Sequence, residues 1–239
     1  MIKGRFDFEI APQFVDFQHK VKLSSLVDLI LTASGYNADA NGFGSRDLNE
    51  KGATWVLTRF SLEMSRYPRE YEKIQIHTWV EEVHTLNTIR NYRLFDTSGN
   101  VIGNSTSVWV MLNIERRRPM ELVQLKGIHS YATLEESGIE RTMKLNEVGG
   151  TPVDSFLVKY SDIDINQHVN TVRYLDWMVN TFSLEEHKKS KVKRLDVNFM
   201  SEILFGEHIE VFKEEVEEKE FRMELKANGR TACRGRLVF

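Results

Sequence analysis

The chain has 239 residues, 41% of them hydrophobic and 28% charged, which is enough to bury one large core or two cores of about 100–130 residues each and argues against disorder. Its net charge of −3 argues against nucleic acid as the main partner, and its single cysteine, Cys233, excludes an internal disulfide. No run of eighteen apolar residues and no apolar amino-terminal region are present, so we expect a cytoplasmic protein without membrane insertion.

The first half of the chain predicts a strand, a helix and then four strands. The helix is indicated by apolar residues at helical spacing, namely Leu23, Leu26, Val27, Ile30 and Leu31. The segment 36–54, rich in Gly, Asn and Asp, is predicted to be a loop or flap. Strand-like runs follow at 55–64, 73–83, 88–95 and 101–112, with a turn signal at 96–99.

The second half repeats the first at an offset of 148 residues. The paired residues are Phe8 with Phe156, Asp16 with Asp164, Val21 with Val169, and Asp28 with Asp176. A second apolar helical pattern follows, formed by Val172, Leu175, Trp177, Met178 and Phe182. Four more strand-like runs follow at 193–200, 208–216, 220–227 and 231–239, and Asn228-Gly229 predicts a hairpin turn. Cys233 lies in the last run, where a small strand residue is the favoured interpretation.

Each copy therefore predicts a long helix wrapped by a curved antiparallel sheet, which is the hotdog arrangement. We expect an α+β fold in which two tandem hotdog domains form a pseudo-dimer. The predicted boundaries are 1–125 for the first domain, 126–151 for the linker and 152–239 for the second domain. Exposed sheet edges favour association, so either a monomer or a homodimer is expected.

Polar residues alternate just before the second helix: Asp162, Asp164, Asn166 and His168. If this segment is extended, all four side chains project to one face and form a catalytic wall. The first copy has Gln18 and Lys20 at the positions of Asn166 and His168, so chemistry is expected in the second copy. The alternative is that Asp162, Asp164 and Asn170 are turn and cap residues with local hydrogen bonds.

The stretch SDIDINQHVNTVRYLDW resembles the signature of acyl-acyl carrier protein (acyl-ACP) thioesterases, and GATWVLTRFSLEM in the first copy resembles the same family. The resemblance implies hydrolysis of an acyl-ACP thioester, the step that ends fatty acid synthesis. It places the active-site residues on Asp164, Asn166, His168 and Glu202. Many members have a cysteine directly after the glutamate, whereas this chain has Ile203, so a thiol nucleophile is not expected.

The resemblance also implies roles that need neither a metal nor another cofactor. Asp164 either attacks the thioester carbonyl or deprotonates water, and Asn166 helps to place the thioester or the water. His168 polarises the reacting group or shuttles a proton, and Glu202 holds its ring in one tautomer. Backbone N–H groups near Asn170 and Thr171, at the start of the helix, are expected to stabilise the oxyanion.

Two binding surfaces follow from the same resemblance. The acyl chain is expected against residues of the first copy, namely Trp55, Leu57, Phe60 and Trp109. An acidic carrier protein is expected to dock on a basic cluster formed by Lys188, Lys189, Lys191, Lys193 and Arg194. Coenzyme A carries the same pantetheine arm, so the choice between the two carriers stays open.

Two other functions compete with hydrolysis. A hotdog hydratase or dehydratase would use a His and a carboxylate within different motifs, which often contain proline, and no proline lies beside His168. A non-catalytic acyl-binding module would keep the fold and use the polar residues only to order the pantetheine arm. The absence of a cysteine after Glu202 favours that module, and the retained polar set favours an enzyme.

Overall fold

The structure is a computed structural model that describes residues 2–239. The chain divides into two compact units. The first unit comprises the residues up to Lys22 and Leu26–Arg141, and the second comprises Thr142–Phe239 together with Leu23–Ser25. The division between Arg141 and Thr142 falls inside the segment 126–151 that we predicted as the connection.

The first unit is an antiparallel sheet with one long helix. Its elements are β1 (Gly4–Glu9), α1 (Leu23–Ala40), α2 (Ser45–Asn49), β2 (Ala53–Met64), β3 (Lys73–Val83), β4 (Asn87–Phe95), β5 (Val101–Asn113) and β6 (Arg118–Pro119). The strand order is β1-β3-β4-β5-β2, and the short β6 pairs with β5. Short 3-10 helices cover Pro12–Phe14, Leu122–Gln124 and Ile128–Tyr131.

The second unit repeats this plan on a smaller scale. Its elements are β7 (Asp154–Leu157), a 3-10 helix (Tyr160–Asp162), α3 (Thr171–Val179), α4 (Leu184–Lys189), β8 (Arg194–Phe199), β9 (His208–Glu217), β10 (Glu220–Ala227) and β11 (Arg230–Val238). The strand order is β7-β9-β10-β11-β8, which matches β1-β3-β4-β5-β2 strand for strand. The repeat in the sequence is therefore a repeat of topology.

In each unit the first helix packs on the sheet of its own unit. In the first unit, Tyr36 of α1 lies against Phe6 of β1 with ring centroids 5.7 Å apart. In the second unit, Tyr174 of α3 meets Phe199 of β8 edge to face at 5.6 Å, and Trp177 meets Phe156 of β7 at 5.1 Å. A helix covered by one curved antiparallel sheet is the hotdog unit, so the predicted α+β fold with two tandem hotdogs is confirmed.

The strands lie close to the predicted runs, which are rich in apolar and β-branched residues and are separated by turn signals. The hairpin turn at Asn228-Gly229 has positive φ angles of 47° and 79°, as a two-residue turn of this kind requires. Cys233 is fully buried in β11, and burial raises the pKa of its thiol well above the ordinary value.

Two predictions about the helices were wrong. The segment 36–54 is not a continuous loop, because α1 extends to Ala40 and α2 covers Ser45–Asn49. The second copy lacks a long helix: α3 has 9 residues and α1 has 18. Phe182 consequently lies beyond α3, where it packs against Phe221 and Phe239 with ring centroids 4.8 and 4.9 Å away. Among residues 2–239, no helix has the length and hydropathy needed to cross a bilayer.

Candidate active site

The centre of the candidate site is a tight turn formed by residues 164–168 just before α3. The Oδ1 atom of Asp164 accepts hydrogen bonds from the backbone N–H groups of Asn166 at 2.8 Å and of His168 at 3.3 Å. The Asp164 N–H donates to the His168 carbonyl at 2.8 Å and closes the turn. Gln167 has a φ of 65°, the left-handed conformation that lets the chain reverse.

This turn replaces the extended segment that we predicted from the alternation of polar residues. Asp162 belongs to the preceding 3-10 helix, where its Oδ2 accepts the Lys159 N–H at 2.9 Å. Asp162 and Asp164 therefore do form local hydrogen bonds of the turn and cap type. The four polar side chains do not alternate along a strand, and only residues from Asp164 onward surround the turn.

A histidine and a glutamate lie side by side at this turn. The Nε2 atom of His168 is 3.3 Å from Oε2 of Glu202, and 27% and 34% of the two side chains are exposed. Backbone pairing brings them together, because the Val169 N–H donates to the Ile203 carbonyl at 2.8 Å and His168 bridges to Leu204. The structure therefore places Glu202, from the segment after β8, next to the turn.

The segment that carries Glu202 is fixed by an arginine that the sequence did not single out. Arg230, at the start of β11, donates to the Glu202 carbonyl at 2.9 Å and to Oγ of Ser201 at 2.5 Å. Its Nη2 also contacts both carboxylate oxygens of Glu207 at 2.8 and 2.9 Å. The position of Arg230 just after the Asn228-Gly229 hairpin was the only sequence signal for this role.

The start of α3 borders the turn. Asn170 is the N-cap of α3, with Oδ1 accepting the Val172 N–H at 3.1 Å, and its own N–H donates to the Asp162 carbonyl. The Asn170 N–H is therefore occupied. The Thr171 N–H forms no hydrogen bond within residues 2–239, as is usual for the first turn of a helix.

The first unit contains the same turn without the same side chains. The Oδ1 atom of Asp16 accepts the N–H groups of Gln18 at 2.8 Å and of Lys20 at 3.2 Å, and His19 has a φ of 58°. The Val21 N–H donates to the Pro68 carbonyl, as Val169 does to Ile203. By this pairing Lys20 stands at the position of His168, and buried Tyr67 stands at that of Glu202. The first turn has a His–Glu pair at other positions: Nδ1 of His19, the equivalent of Gln167, lies 2.7 Å from Oε2 of Glu70, and 70% of the His19 side chain is exposed.

A cavity of about 170 Å³ lies within the first unit. Two of the four residues predicted to contact an acyl chain, Trp55 and Trp109, line it. The other two, Leu57 and Phe60, are buried in β2 and are not part of its wall. The remaining lining is Leu31, Ser34, Gly35, Ala38, Phe43, Ser45, Val80, Thr88, Arg90 and Ile128.

The predicted basic cluster is only partly a surface. Lys188, Lys189 and Lys193 are exposed, and Lys188 pairs with Glu185 at 2.6 Å. Arg194 contradicts the prediction, because 14% of its side chain is exposed and its guanidinium contacts both carboxylate oxygens of buried Asp196 at 2.8–3.2 Å. Arg194 is part of the sheet of the second unit. Lys191 is partly buried.

Both halves of the chain match models of one protein family. Residues 3–124 match the N-terminal domain of acyl-ACP thioesterases, and residues 147–239 match the C-terminal domain. An acyl-[acyl-carrier-protein] hydrolase of Cuphea viscosissima, described as chloroplastic, is 30% identical over 172 residues, which is 68% of this chain and 41% of that protein. The chain thus matches about two fifths of the length of that plant relative.

Solved structures agree with this assignment. An acyl-ACP thioesterase from Bacteroides thetaiotaomicron is 36% identical, with a TM-score of 0.95 over 100% of this chain and 98% of that one. A 12:0-ACP thioesterase from Umbellularia californica is 19% identical, with a TM-score of 0.82 over 100% and 97% of the two chains, and shows the shared fold alone. The matches to both domain models cover most of the sequence, and the chain therefore belongs to the acyl-ACP thioesterase family.

Proposed function

We propose that this protein hydrolyses the thioester of an acyl-ACP and releases the free fatty acid, which would terminate fatty acid synthesis. The observation that carries the proposal is the His168–Glu202 pair at 3.3 Å, next to the Asp164 turn at the start of α3. The first unit has Lys20 and Tyr67 at the two equivalent positions, and its own His–Glu contact joins the exposed His19, one position earlier in the turn, to Glu70. Family membership supplies the substrate class.

Asp164 is the proposed principal carboxylate. Its Oδ1 holds the turn, whereas its Oδ2 forms no hydrogen bond within residues 2–239 and is left for the substrate. In one route this oxygen removes a proton from water, which attacks the carbonyl carbon and displaces the pantetheine thiolate. In the other route the oxygen itself attacks, the thiolate leaves, and water hydrolyses the resulting mixed anhydride. Trapping with hydroxylamine during a single turnover distinguishes them, because only the anhydride yields an acyl hydroxamate in excess of the direct reaction.

His168 and Glu202 are proposed to act as a unit. The carboxylate next to Nε2 would fix the orientation and tautomer of the imidazole. In the water route, the imidazole would then pass the proton that Asp164 takes from the attacking water on to the departing thiolate. Asn166, whose side chain is exposed at the turn, is proposed to position the thioester or the water.

The oxyanion is proposed to be stabilised by the Thr171 N–H. This group points from the positive end of the α3 dipole and has no intramolecular acceptor within the described chain. The Asn170 N–H, which we also expected to contribute, donates to Asp162 instead. A well-placed donor of this kind contributes on the order of 10²–10³-fold in rate.

A thiol nucleophile does not fit the chain. Cys233 is fully buried in β11, and burial holds the pKa of its thiol far above neutral pH. At the position where many relatives have a cysteine, buried Ile203 accepts a backbone hydrogen bond. These two observations support the carboxylate mechanism.

The test is thiol release from acyl-ACP by wild type and His168→Ala, with Lys20→Ala as the matched control in the first unit. We expect a fall of about 10²-fold or more in kcat for His168→Ala and little change for Lys20→Ala. Equal losses of kcat in the two variants would show that activity depends on the two turns and not on the imidazole of His168. Tight acyl-ACP binding by a wild type that releases no thiol would make the protein a binding module and refute hydrolysis.

A further inference from the structure

The cavity of the first unit contains a buried charge. Arg90 of β4 is 4% exposed and forms part of the cavity wall, together with apolar residues such as Trp55 and Trp109. Burial lowers the pKa of its guanidinium, since the charged form loses hydration, but an arginine stays protonated at physiological pH. A guanidinium in a pocket expected to hold hydrocarbon requires an explanation.

The intramolecular partners of Arg90 do not neutralise it. Its Nη1 donates to Oδ1 of Asn37 at 2.8 Å and to Oγ1 of Thr78 at 3.2 Å, and both partners are neutral. Within residues 2–239 it forms no ion pair with a carboxylate. A buried charge without a counter-charge costs several kcal/mol in general, so chains retain one mainly where a ligand uses it.

Arg90 lines the cavity and has donors beyond those on Nη1. A guanidinium has five N–H groups, and those on Nε and Nη2 form no hydrogen bond among the described residues. In residues 2–239, two fully buried side-chain polar atoms lack a hydrogen-bond partner, namely Oδ1 of Asn91 and Oγ1 of Thr106. Nε and Nη2 of Arg90 are not among these atoms. These donors therefore keep some accessible surface, in a residue that forms part of the cavity wall.

The hydroxyl-bearing residues around Arg90 extend this polar region. Ser34, Ser45 and Thr88 also line the cavity. Beside them, the Trp109 Nε1–H donates to Oγ of Ser107 at 2.8 Å, and this hydroxyl donates to the Arg90 carbonyl at 3.2 Å. One part of the wall is thus a rigid polar patch, and the rest is aromatic and aliphatic.

We propose that this cavity selects acyl groups whose chain carries an acceptor oxygen (a hydroxyl, an oxo group or a carboxylate), which Arg90 binds through Nε and Nη2. This inference rests on the proposed thioester function, in that it takes the cavity to be the acyl pocket. An unsubstituted chain leaves the charge desolvated and unmatched, whereas an oxygen at this point forms a charge-assisted hydrogen bond.

The first experiment measures binding and does not require turnover. Trp55 and Trp109 line the cavity, so their fluorescence should report its occupancy. Wild type is titrated with methyl esters of one chain length that are unsubstituted, hydroxylated, oxo-substituted or carboxylated at successive positions. We expect at least one oxygenated ester to bind about tenfold or more tighter than the unsubstituted one. Tighter or equal binding of the unsubstituted ester in every comparison overturns the proposal, even if no variant can be made.

The second experiment assigns the preference to Arg90. Arg90→Met should reduce the difference between oxygenated and unsubstituted esters to about twofold or less, and Arg46→Met, which removes an exposed guanidinium from α2, should leave it unchanged. A preference that persists in folded Arg90→Met refutes the assignment. Thiol release from the corresponding acyl-ACP substrates is measured separately. If none of them is hydrolysed, the proposed function is refuted. If oxygenated and unsubstituted esters bind equally well, this inference is refuted.

Discussion

Asp16 and Asp164 perform the same backbone task 148 residues apart, because the Oδ1 atom of each accepts the N–H groups two and four positions further along the chain. The turn is therefore a requirement of the fold in both units, independent of any reaction. The second turn differs in where its His–Glu pair lies: His168 and Glu202 occupy the positions of Lys20 and Tyr67, whereas the first turn pairs the exposed His19 with Glu70. This equivalence provides an internal control for each substitution at the site.

The first prediction concerns the charge of Asp164. Asn at this position keeps an oxygen that can accept the same two N–H groups, so Asp164→Asn should preserve the turn and remove only the carboxylate. We expect kcat for acyl-ACP hydrolysis to fall about 10²-fold or more. Thermal unfolding and thiol release are measured on the same preparation.

Asp16→Asn is the matched control for that substitution. It makes the same chemical change in the first unit and should leave kcat within about twofold of wild type, since a turn hydrogen bond is retained. If Asp16→Asn and Asp164→Asn lose activity to the same extent, Asp164 acts through the fold and has no direct chemical role.

The second prediction concerns the cap of α3. Asn170→Ala removes the acceptor for the Val172 N–H and should lower the free energy of unfolding by about 1 kcal/mol. The start of the helix then loses its fixed geometry, so kcat should fall by about tenfold, less than the 10²–10³-fold for a lost oxyanion donor. Asn170→Ser should restore both quantities, because serine also caps helices. An unchanged kcat in a destabilised Asn170→Ala protein would show that the helix start does not touch the oxyanion.

The third prediction concerns the exposed lysines of the second unit. The double variant Lys189→Glu, Lys193→Glu should lower kcat/KM for acyl-ACP about tenfold at low salt, since these charges would steer an acidic carrier. Hydrolysis of a free acyl-pantetheine thioester should not change, and the effect should shrink at high ionic strength.

Lys51→Glu combined with Lys126→Glu provides the control for net charge, because both lysines are exposed in the first unit. An equal loss with this pair would show a general charge effect and would contradict docking at Lys189 and Lys193. Arg194 is unsuitable for this test, since its substitution breaks the contact with buried Asp196 and would alter the fold.

The fourth prediction concerns stability in acid. The Glu224 side chain is fully buried, which alone would raise its pKa, but hydrogen bonds from Thr231 at 2.6 Å, the Val148 N–H at 2.9 Å and Arg234 at 3.1 Å lower the pKa below its ordinary value. A carboxyl with a lowered folded-state pKa stabilises the protein above its unfolded pKa of 4.5. This contribution is lost as pH falls through the lowered folded value.

Urea unfolding across pH tests this prediction. Glu224→Gln should lower the free energy of unfolding by about 3 kcal/mol at neutral pH, because Arg234, 12% exposed, loses its buried carboxylate partner and keeps only the exposed Glu147 at 3.9 Å. The difference from wild type should narrow as the pH falls from 4.5, where the Glu224 carboxyl of the unfolded chain becomes protonated, to the lowered pKa of Glu224 in the folded protein. The exposed Glu215→Gln serves as the control and should show no such convergence. A constant difference at all pH values would assign the loss to packing.

Sequence periodicity was sufficient for the strands, since each sheet has one face against a helix and alternation follows from burial. It was insufficient at Asp164–His168, because alternating polar residues look the same in a strand and in a turn closed by an aspartate. The left-handed conformation of Gln167, which decides between them, has no signature in a non-glycine residue.

The cavity wall was only half predictable for a similar reason. Trp55 and Leu57 are two positions apart in β2 and both precede the bulge between Leu57 and Arg59, so alternation places them on one face and does not show which of them lines the cavity. Arg90 was missed because a charged residue in a strand is ordinarily exposed, and only the packing of α1 over the sheet buries it.

The duplicated turn has a consequence for how such a chain can change over generations. Because Asp16 supports a turn that has Lys20 where the second unit has His168, substitutions that reshape the cavity of the first unit do not alter the residues proposed to break the thioester. Substitutions can then change the range of ligands that the cavity accepts while the reaction stays the same. A gene of this design offers two separate targets for selection: the cavity of the first unit, proposed to hold the acyl chain, and the residues of the second unit, proposed to break its thioester.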